Sequence, residues 1–224
     1  MKSHCHWLVT AALLFWVAPG WALESNTDCP TNLGLNGFGR PLDYNSPSAE
    51  DQNHITNNVE RNHFTKEVEA LLRGKNGTIP GDISFTLRAI PNHYRALNAM
   101  SRWQLKNGPP TLRDDYWRAS CYFDRALLLT PNDPVIHMLY GVFLHKSHQL
   151  SEALAAYRRA EELDPTSMEL QYNLGLLFLE QGDNDQALAY AKKAYEQNYP
   201  LPGLRNMLMR KGVWKATETT SAPK

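Results

Sequence analysis

Residues 134–167 read PVIHMLYGVFLHKSHQLSEALAAYRRAEELDPTS, and residues 168–201 read MELQYNLGLLFLEQGDNDQALAYAKKAYEQNYPL. Laid over one another, the two stretches agree at an offset of 34: Gly141 with Gly175, Leu144 with Phe178, Ala153 with Ala187, Leu154 with Leu188, Ala160 with Ala194. Each unit reads as a helix of about 14 residues, a tight turn and a second helix. The turns are His148-Gln149 and Gln181-Gly182-Asp183-Asn184. Gly141 and Ala153 let the two helices of a hairpin approach closely, and Ala160 does the same for the next helix. Tyr140, Leu144 and Tyr157 fill the groove between them. Pro165 ends the second helix because it has no amide hydrogen to continue the ladder.

Both units resemble the tetratricopeptide-repeat family. The first matches at Tyr140, Gly141, Leu144, Ala153, Tyr157, Ala160 and Pro165. The second matches at Leu174, Gly175, Phe178, Ala187 and Ala194. It departs in carrying Ala191 where an aromatic is usual, and its proline arrives one residue late, as Pro200. The usual early tryptophan is replaced by His137 and Gln171. A degenerate unit precedes these over 92–131. Ala119, Phe123, Ala126 and Pro131 fit the second-helix pattern, and Ser101 stands at the small-residue position of the first helix. A longer loop around Pro109 and Pro110 joins the two helices.

Outward from this block, Gly203 to Trp214 reads as a capping helix with Leu204, Met207, Leu208 and Val213 apolar. A solenoid needs one because its last repeat would otherwise expose an apolar face. Residues 215–224 read as a polar, disordered tail. Toward the N-terminus, 57–91 holds shorter helices. Thr65 with Glu67 and Glu69 is a start signal, and Pro80-Gly81-Asp82 opens a helix whose Ile83, Leu87 and Ile90 share a face before Pro91 stops it. Residues 23–56 have neither helical nor strand period. They form an irregular arm, either draped over the body through Leu35, Phe38, Leu42 and Tyr44 or left as a mobile tail. The expected fold class is therefore all-α: a helix-turn-helix solenoid of about three units, with an irregular arm before it and a capping helix after it.

Residues 1–22 read as an export signal. Lys2 precedes the apolar run Trp7 to Ala18, which is short for a bilayer span. Pro19-Gly20 breaks it, and Gly20-Trp21-Ala22 places cleavage after Ala22. The alternative is an uncleaved anchor. Cleavage would leave Cys29 and Cys121, an even pair that an oxidising compartment favours as one disulfide; two free thiols is the other reading. The segment His63 to His93 is similar to small exported bacterial proteins of the same repeat family, and that likeness implies a periplasmic envelope protein.

The 23 Lys and Arg balance the 23 Asp and Glu, so no basic excess draws the chain to nucleic acid or to an anionic membrane. Loss of Lys2 with the signal leaves a net charge of −1 (22 against 23) and no stable membrane insertion is expected. Phosphate-binding loops, Cys-x-x-Cys, His-Glu-x-x-His and Gly-x-Ser-x-Gly are all absent from the sequence. No cofactor, metal or catalytic residue is assigned, and the chain is expected not to be an enzyme. His145 and His148, three apart, could present one face to an ion, but no carboxylate near them in sequence completes the set. His54, His63 and His93 could converge as a metal or catalytic cluster.

The resemblance implies a concave face lined by first helices that binds a partner protein or peptide. Carried onto this chain, its contact positions are Arg95, Asn98, Arg102, Met138, Val142, His145, Lys146, Tyr172, Leu176 and Leu179. Such a groove is basic at one end and apolar at the other, suiting an amphipathic or C-terminal peptide. Val142, Leu176 and Leu179 could instead pack on the N-terminal helices or on the cap. The expected function is an interaction scaffold of an envelope complex. The alternative is a structural subunit of a secretion or surface-polymer export apparatus.

Overall fold

The computed structural model describes residue 29, residue 33 and residues 39–111 and 114–215, and the described chain is helical throughout. The apolar run with its cleavage site after Ala22, Leu35 and Phe38 of the arm, and the tail from 216 lie outside the described residues. Among the described residues no helix is long and apolar enough to cross a membrane.

Helix formation begins at Ala49, inside the stretch expected to be irregular. The first helix, α1, is Ala49–His54; it widens to a π-helix over Ile55–Glu60 and closes as α2, Arg61–His63. The start signal is a polar one with no apolar period to advertise it. Ser48 Oγ accepts from the Asp51 amide, and Asp51 in turn takes a hydrogen bond from Ser46 and an ion pair from Arg40. The short α3, Lys66–Glu69, is capped by Thr65, as its sequence signal predicts.

The helix α4, Ile79–Ala89, starts at Thr78 with Pro80 in its first turn, and its Ile83 and Leu87 are fully buried together with Ile90 beyond its end. Next comes α5, Tyr94–Asn107, capped by His93 Nδ1, and then α6, Ala119–Leu129. Where the long connection from α5 enters α6, side chains of the two helices take up backbone amides. Ala119 donates its amide to Gln104 Oε1 at 2.6 Å, and Trp117 donates to the Tyr122 hydroxyl at 3.0 Å.

The two clear repeats follow as hairpins: α7, Pro134–Lys146, with α8, Leu150–Leu163, and then α9, Met168–Gln181, with α10, Asn184–Glu196. Asp133 and Ser167 cap the first helices, Asp183 caps α10, and Gly182 turns the chain through a left-handed residue at φ +83°. The cap α11, Gly203–Arg210, packs on both α9 and α10. It is shorter than the expected 203–214, though Trp214 beyond it is buried. Consecutive first helices α5, α7, α9 and α11 touch in a row, and α6, α8 and α10 stand behind them.

The small-residue positions do what close packing requires. A β-carbon on Gly141 would lie 2.4 Å from Tyr157 Cδ1, so the tyrosine ring fills the notch that the glycine leaves. A β-carbon on Gly175 would instead meet Leu204 Cδ2 at 2.5 Å. The second hairpin has Ala191 in place of the ring, and the leucine of α11 occupies the space.

A smaller core gathers Leu42, Ile55, Val59, Ala89 and Ile90. The described part of the arm is thus packed. Leu42 donates its amide to Ala89 at 2.9 Å, Tyr44 donates its amide to Asn92 Oδ1 at 2.9 Å, and the Tyr44 ring lies 4.2 Å from that of His93. Cys29 and Cys121 form a disulfide with Cα atoms 5.5 Å apart, fastening the start of the arm to α6.

Candidate functional site

The inner face of the repeats is built from α7, α9 and α11, and it holds a cavity of about 500 Å³. Its walls are His145 from the end of α7, Leu176, Leu179 and Glu180 from α9, and Met207, Arg210 and Lys211 from α11 and its C-cap. The three helices place these residues by helical spacing. Leu176, Leu179 and Glu180 recur at three and four residues and share one stripe of α9, while Met207 and Arg210 share one of α11. The volume suits one or two apolar side chains of a peptide. The floor is leucine and methionine, and the polar rim carries Arg210 and Lys211 together with His145 and the Glu180 carboxylate. Ion pairs among the described residues engage Arg40, Arg95, Arg158 and Arg159, and none engages Arg210 or Lys211.

Three of the ten positions expected to contact a partner, His145, Leu176 and Leu179, meet in this cavity. Lys146 is exposed beside them, and Val142 is half-buried against the core. The cavity lies partly against the cap, so the two readings of Leu176 and Leu179 coincide: they face Met207 across open space. Met138 is 6% exposed and sits in a crevice with Ala160, Ser167 and Leu170, packed between helices and away from the inner face. Tyr172 is likewise in the core, its ring 4.5 Å from that of Tyr199.

The basic end of the groove is reversed. Arg95 donates through Nε to Glu69 Oε1 at 2.8 Å, pairs again through Nη2, and has Glu60 at 3.6 Å. Arg102 donates to the Glu69 carbonyl. The Arg95 hydrogen bonds, joined by the charges of Arg95 and Arg102, outweigh burial and hold the Glu69 carboxyl below the usual range. Both arginines therefore tie α3 to α5, while Asn98 between them is exposed. At the other end Arg210, the last residue of α11, and Lys211, its C-cap, line the cavity, and no ion pair among the described residues engages them. Sequence reasoning placed them in a capping element and read only its apolar face; the signal available was their position about two turns beyond Leu204, at the end of the same helix.

Histidines 54, 63 and 93 do not converge. His63 Nδ1 meets Asp82 at 2.9 Å, His93 Nε2 meets Glu60 at 2.9 Å, and His54 bonds the Asn58 side chain. His145 and His148 do meet a carboxylate. His145 Nε2 is 3.0 Å from Glu180 Oε2, and His148 Nδ1 is 3.3 Å from Glu180 Oε1. Partial burial pushes the Glu180 carboxyl up, and these two hydrogen bonds outweigh it and hold the carboxyl below its ordinary value.

Comparison with known proteins matches the same helices. A model described as TPR repeat matches residues 143–182, and one described as Tetratricopeptide repeat matches residues 169–199. The peroxisomal targeting signal receptor of Saccharomyces cerevisiae (strain ATCC 204508 / S288c) is 32% identical over 78 residues, covering 35% of this chain. The matched stretch spans only 13% of that receptor's length.

Proposed function

Residues 143–199 are tetratricopeptide repeats, and on that premise we propose that this protein is a scaffold that holds a segment of another protein in the cavity between α7, α9 and α11. One observation carries the reading: an apolar floor of Leu176, Leu179 and Met207 stands open beside Arg210 and Lys211, which no ion pair among the described residues engages. Apolar side chains with a neighbouring carboxylate fit such a surface, the first by burial and the second by charge-assisted hydrogen bonds. The likeness to a receptor for a targeting signal favours the same general role, the reception of a protein segment.

The place of action in this reading is the periplasm, within an envelope complex. Its support is the apolar run ending in Gly20-Trp21-Ala22 and the Cys29–Cys121 pair, which persists in an oxidising compartment. The motifs of catalysis are missing from the sequence, so the reading needs no reaction.

Two measurements test it. A photo-crosslinking residue placed at Leu176 or Met207 in cells is expected to capture one discrete partner band that the same residue at Glu152 or Ala155, exposed on α8, does not. The Arg210→Glu, Lys211→Glu double variant should weaken that band about tenfold or more, as loss of a charge-assisted pair of roughly 1.5–3 kcal/mol requires. Equal capture from both faces sinks the assignment of the groove. Osmotic-shock release of a form shortened by the first 22 residues tests the place of action, and retention of the full-length form in the cytoplasm overturns it.

A further inference from the structure

We infer that Asn76 is a site of spontaneous covalent modification, at which the side-chain amide is lost by ring closure onto the backbone nitrogen of Gly77. Asparagine followed by glycine is the pair in which this chemistry is least hindered, because no β-carbon crowds the attacking nitrogen. The sequence holds the pair at Asn36-Gly37, Asn76-Gly77 and Asn107-Gly108. The first lies outside the described residues, and the structure separates the other two.

Asn107 closes α5, so its backbone is held helical. Its Nδ2 donates to the Trp103 carbonyl at 2.9 Å, and the amide of Gly108 donates to the Gln104 carbonyl at 2.8 Å. The nitrogen that must attack is thereby committed to the helix ladder. Asn76 stands in a bend between α3 and α4, and Asn76, Gly77 and Thr78 are all exposed. Among the described residues no hydrogen bond engages the Gly77 amide, and a β-carbon built on Gly77 would meet nothing within 4 Å. The Asn76 side chain donates through Nδ2 to the carbonyl of the exposed Asn62 at 2.8 Å. That bond holds the nitrogen that leaves, not the carbon under attack.

The step balances with water as the only co-reactant. Solvent base removes the Gly77 N–H proton, the nitrogen bonds to Asn76 Cγ, the Cγ–Nδ2 bond breaks, and ammonia departs with a proton. Water then opens the succinimide at one carbonyl or the other, leaving aspartate or isoaspartate at position 76. Either product adds a negative charge at a residue already bonded to Asp82. The Asp82 Oδ2 accepts the amides of Lys75 and Asn76 at 2.6 and 3.1 Å, and its Oδ1 lies 2.9 Å from His63 Nδ1. Asp82 is 3% exposed, so a second carboxylate at its edge is repelled more strongly than in water. Isoaspartate also lengthens the backbone by one carbon. The bend has no slack for it, since a β-carbon on Gly74 would lie 2.0 Å from the Gly77 carbonyl oxygen. Modification therefore loosens the hold of this loop on Asp82 and leaves the hairpins of α7 to α10 as they are.

Incubation of the full chain in mildly alkaline buffer, sampled by peptide mapping and mass spectrometry, tests the site. The peptide carrying Asn76 is expected to convert from amide to acid, with the peptide carrying Asn107 at least about tenfold slower. In concentrated urea, where α5 is unfolded, the two should convert at like rates. Gly77 has no left-handed φ and open space around it, so Gly77→Ala is expected to fold, and it should slow conversion at 76 at least about fivefold. Hydrogen exchange of the Lys75 and Asn76 amides should quicken in the modified form, with α8 and α9 unchanged. Persistence of the Asn76 amide, or equal rates at the two pairs in the folded chain, overturns the site. Native protection of Lys75 in the modified form overturns its effect on the loop.

Discussion

Gly141 leaves a space that the Tyr157 ring fills, and that pair was legible in the sequence because repeat spacing puts a small residue opposite a large one. Gly141→Ala forces a β-carbon to within 2.4 Å of a ring that is fully buried and cannot swing away. Overpacking of this kind costs about 1–3 kcal/mol, and alanine's better helix propensity returns about 1 kcal/mol. Gly141→Ala should therefore lower the urea midpoint, by a net loss of order 1 kcal/mol. The Tyr157 hydroxyl is buried and finds no hydrogen-bond partner among the described residues. Removing such an orphan relieves a desolvation penalty of about 1–3 kcal/mol, so Tyr157→Phe should raise the midpoint, and a lowered midpoint would show that the hydroxyl is satisfied. Arg95 and Arg102 were not legible in this way. Their acceptor, Glu69, lies on another helix, 26 and 33 residues away, and no local period reports a tertiary ion pair. The same holds for Glu180, whose meeting with His145 and His148 needs two repeats to stack.

At the scale of elements, two contacts carry testable weight. The first is the seam of α3, α5 and the π-helix. The His93 hydrogen bond holds Glu60 below the usual carboxylate range, and the Arg95 hydrogen bond does so for Glu69. A depressed carboxyl stabilises the fold fully above its unfolded value of about 4.3, and that contribution is lost as pH falls through the lower folded value. Urea unfolding between pH 7 and pH 3 should show stability falling on the acid side, with a shallower fall in Glu69→Gln. An unchanged acid limb in that variant would remove the pair from the account. The second contact is Leu204, fully buried against Gly175. Leu204→Ala should cost about 2–5 kcal/mol, as other buried leucine truncations do, and should be read by the same unfolding curve. The cap was legible as an apolar helix, but its insertion into the notch of the last hairpin was not, since Ala191 signalled only that something was missing. The helix at Ala49 went unread because its start is a polar hydrogen-bond cluster without an apolar stripe.

Across the whole molecule the two ends are secured by different chemistry. The Cys29–Cys121 bond closes a separation of 92 residues. In the chain-entropy account a loop of that length restrains the unfolded state by up to about 4–5 kcal/mol, and native disulfides of this kind contribute about 2–5 kcal/mol. Reduction, or Cys29→Ser, should lower stability within that range with the helical content unchanged, and an unaltered unfolding midpoint would show that the bond carries no weight. The fold class was open to reading because 34-residue self-similarity is a property of the chain alone. The site was half open to reading: the stripe of α9 follows from helical spacing, whereas the place of Arg210 and Lys211 beside it depends on how α11 packs on α9. The substitution at Ala191 has one more consequence. A fourth hairpin laid after α10 would have to supply the filler for Gly175, and at the 34-residue offset a copy of either existing repeat puts Leu170 or Ile136 where Leu204 stands. The vacancy at 191 therefore sets no limit on the count of repeats: it asks only for an aliphatic side chain at the third position of whatever unit follows.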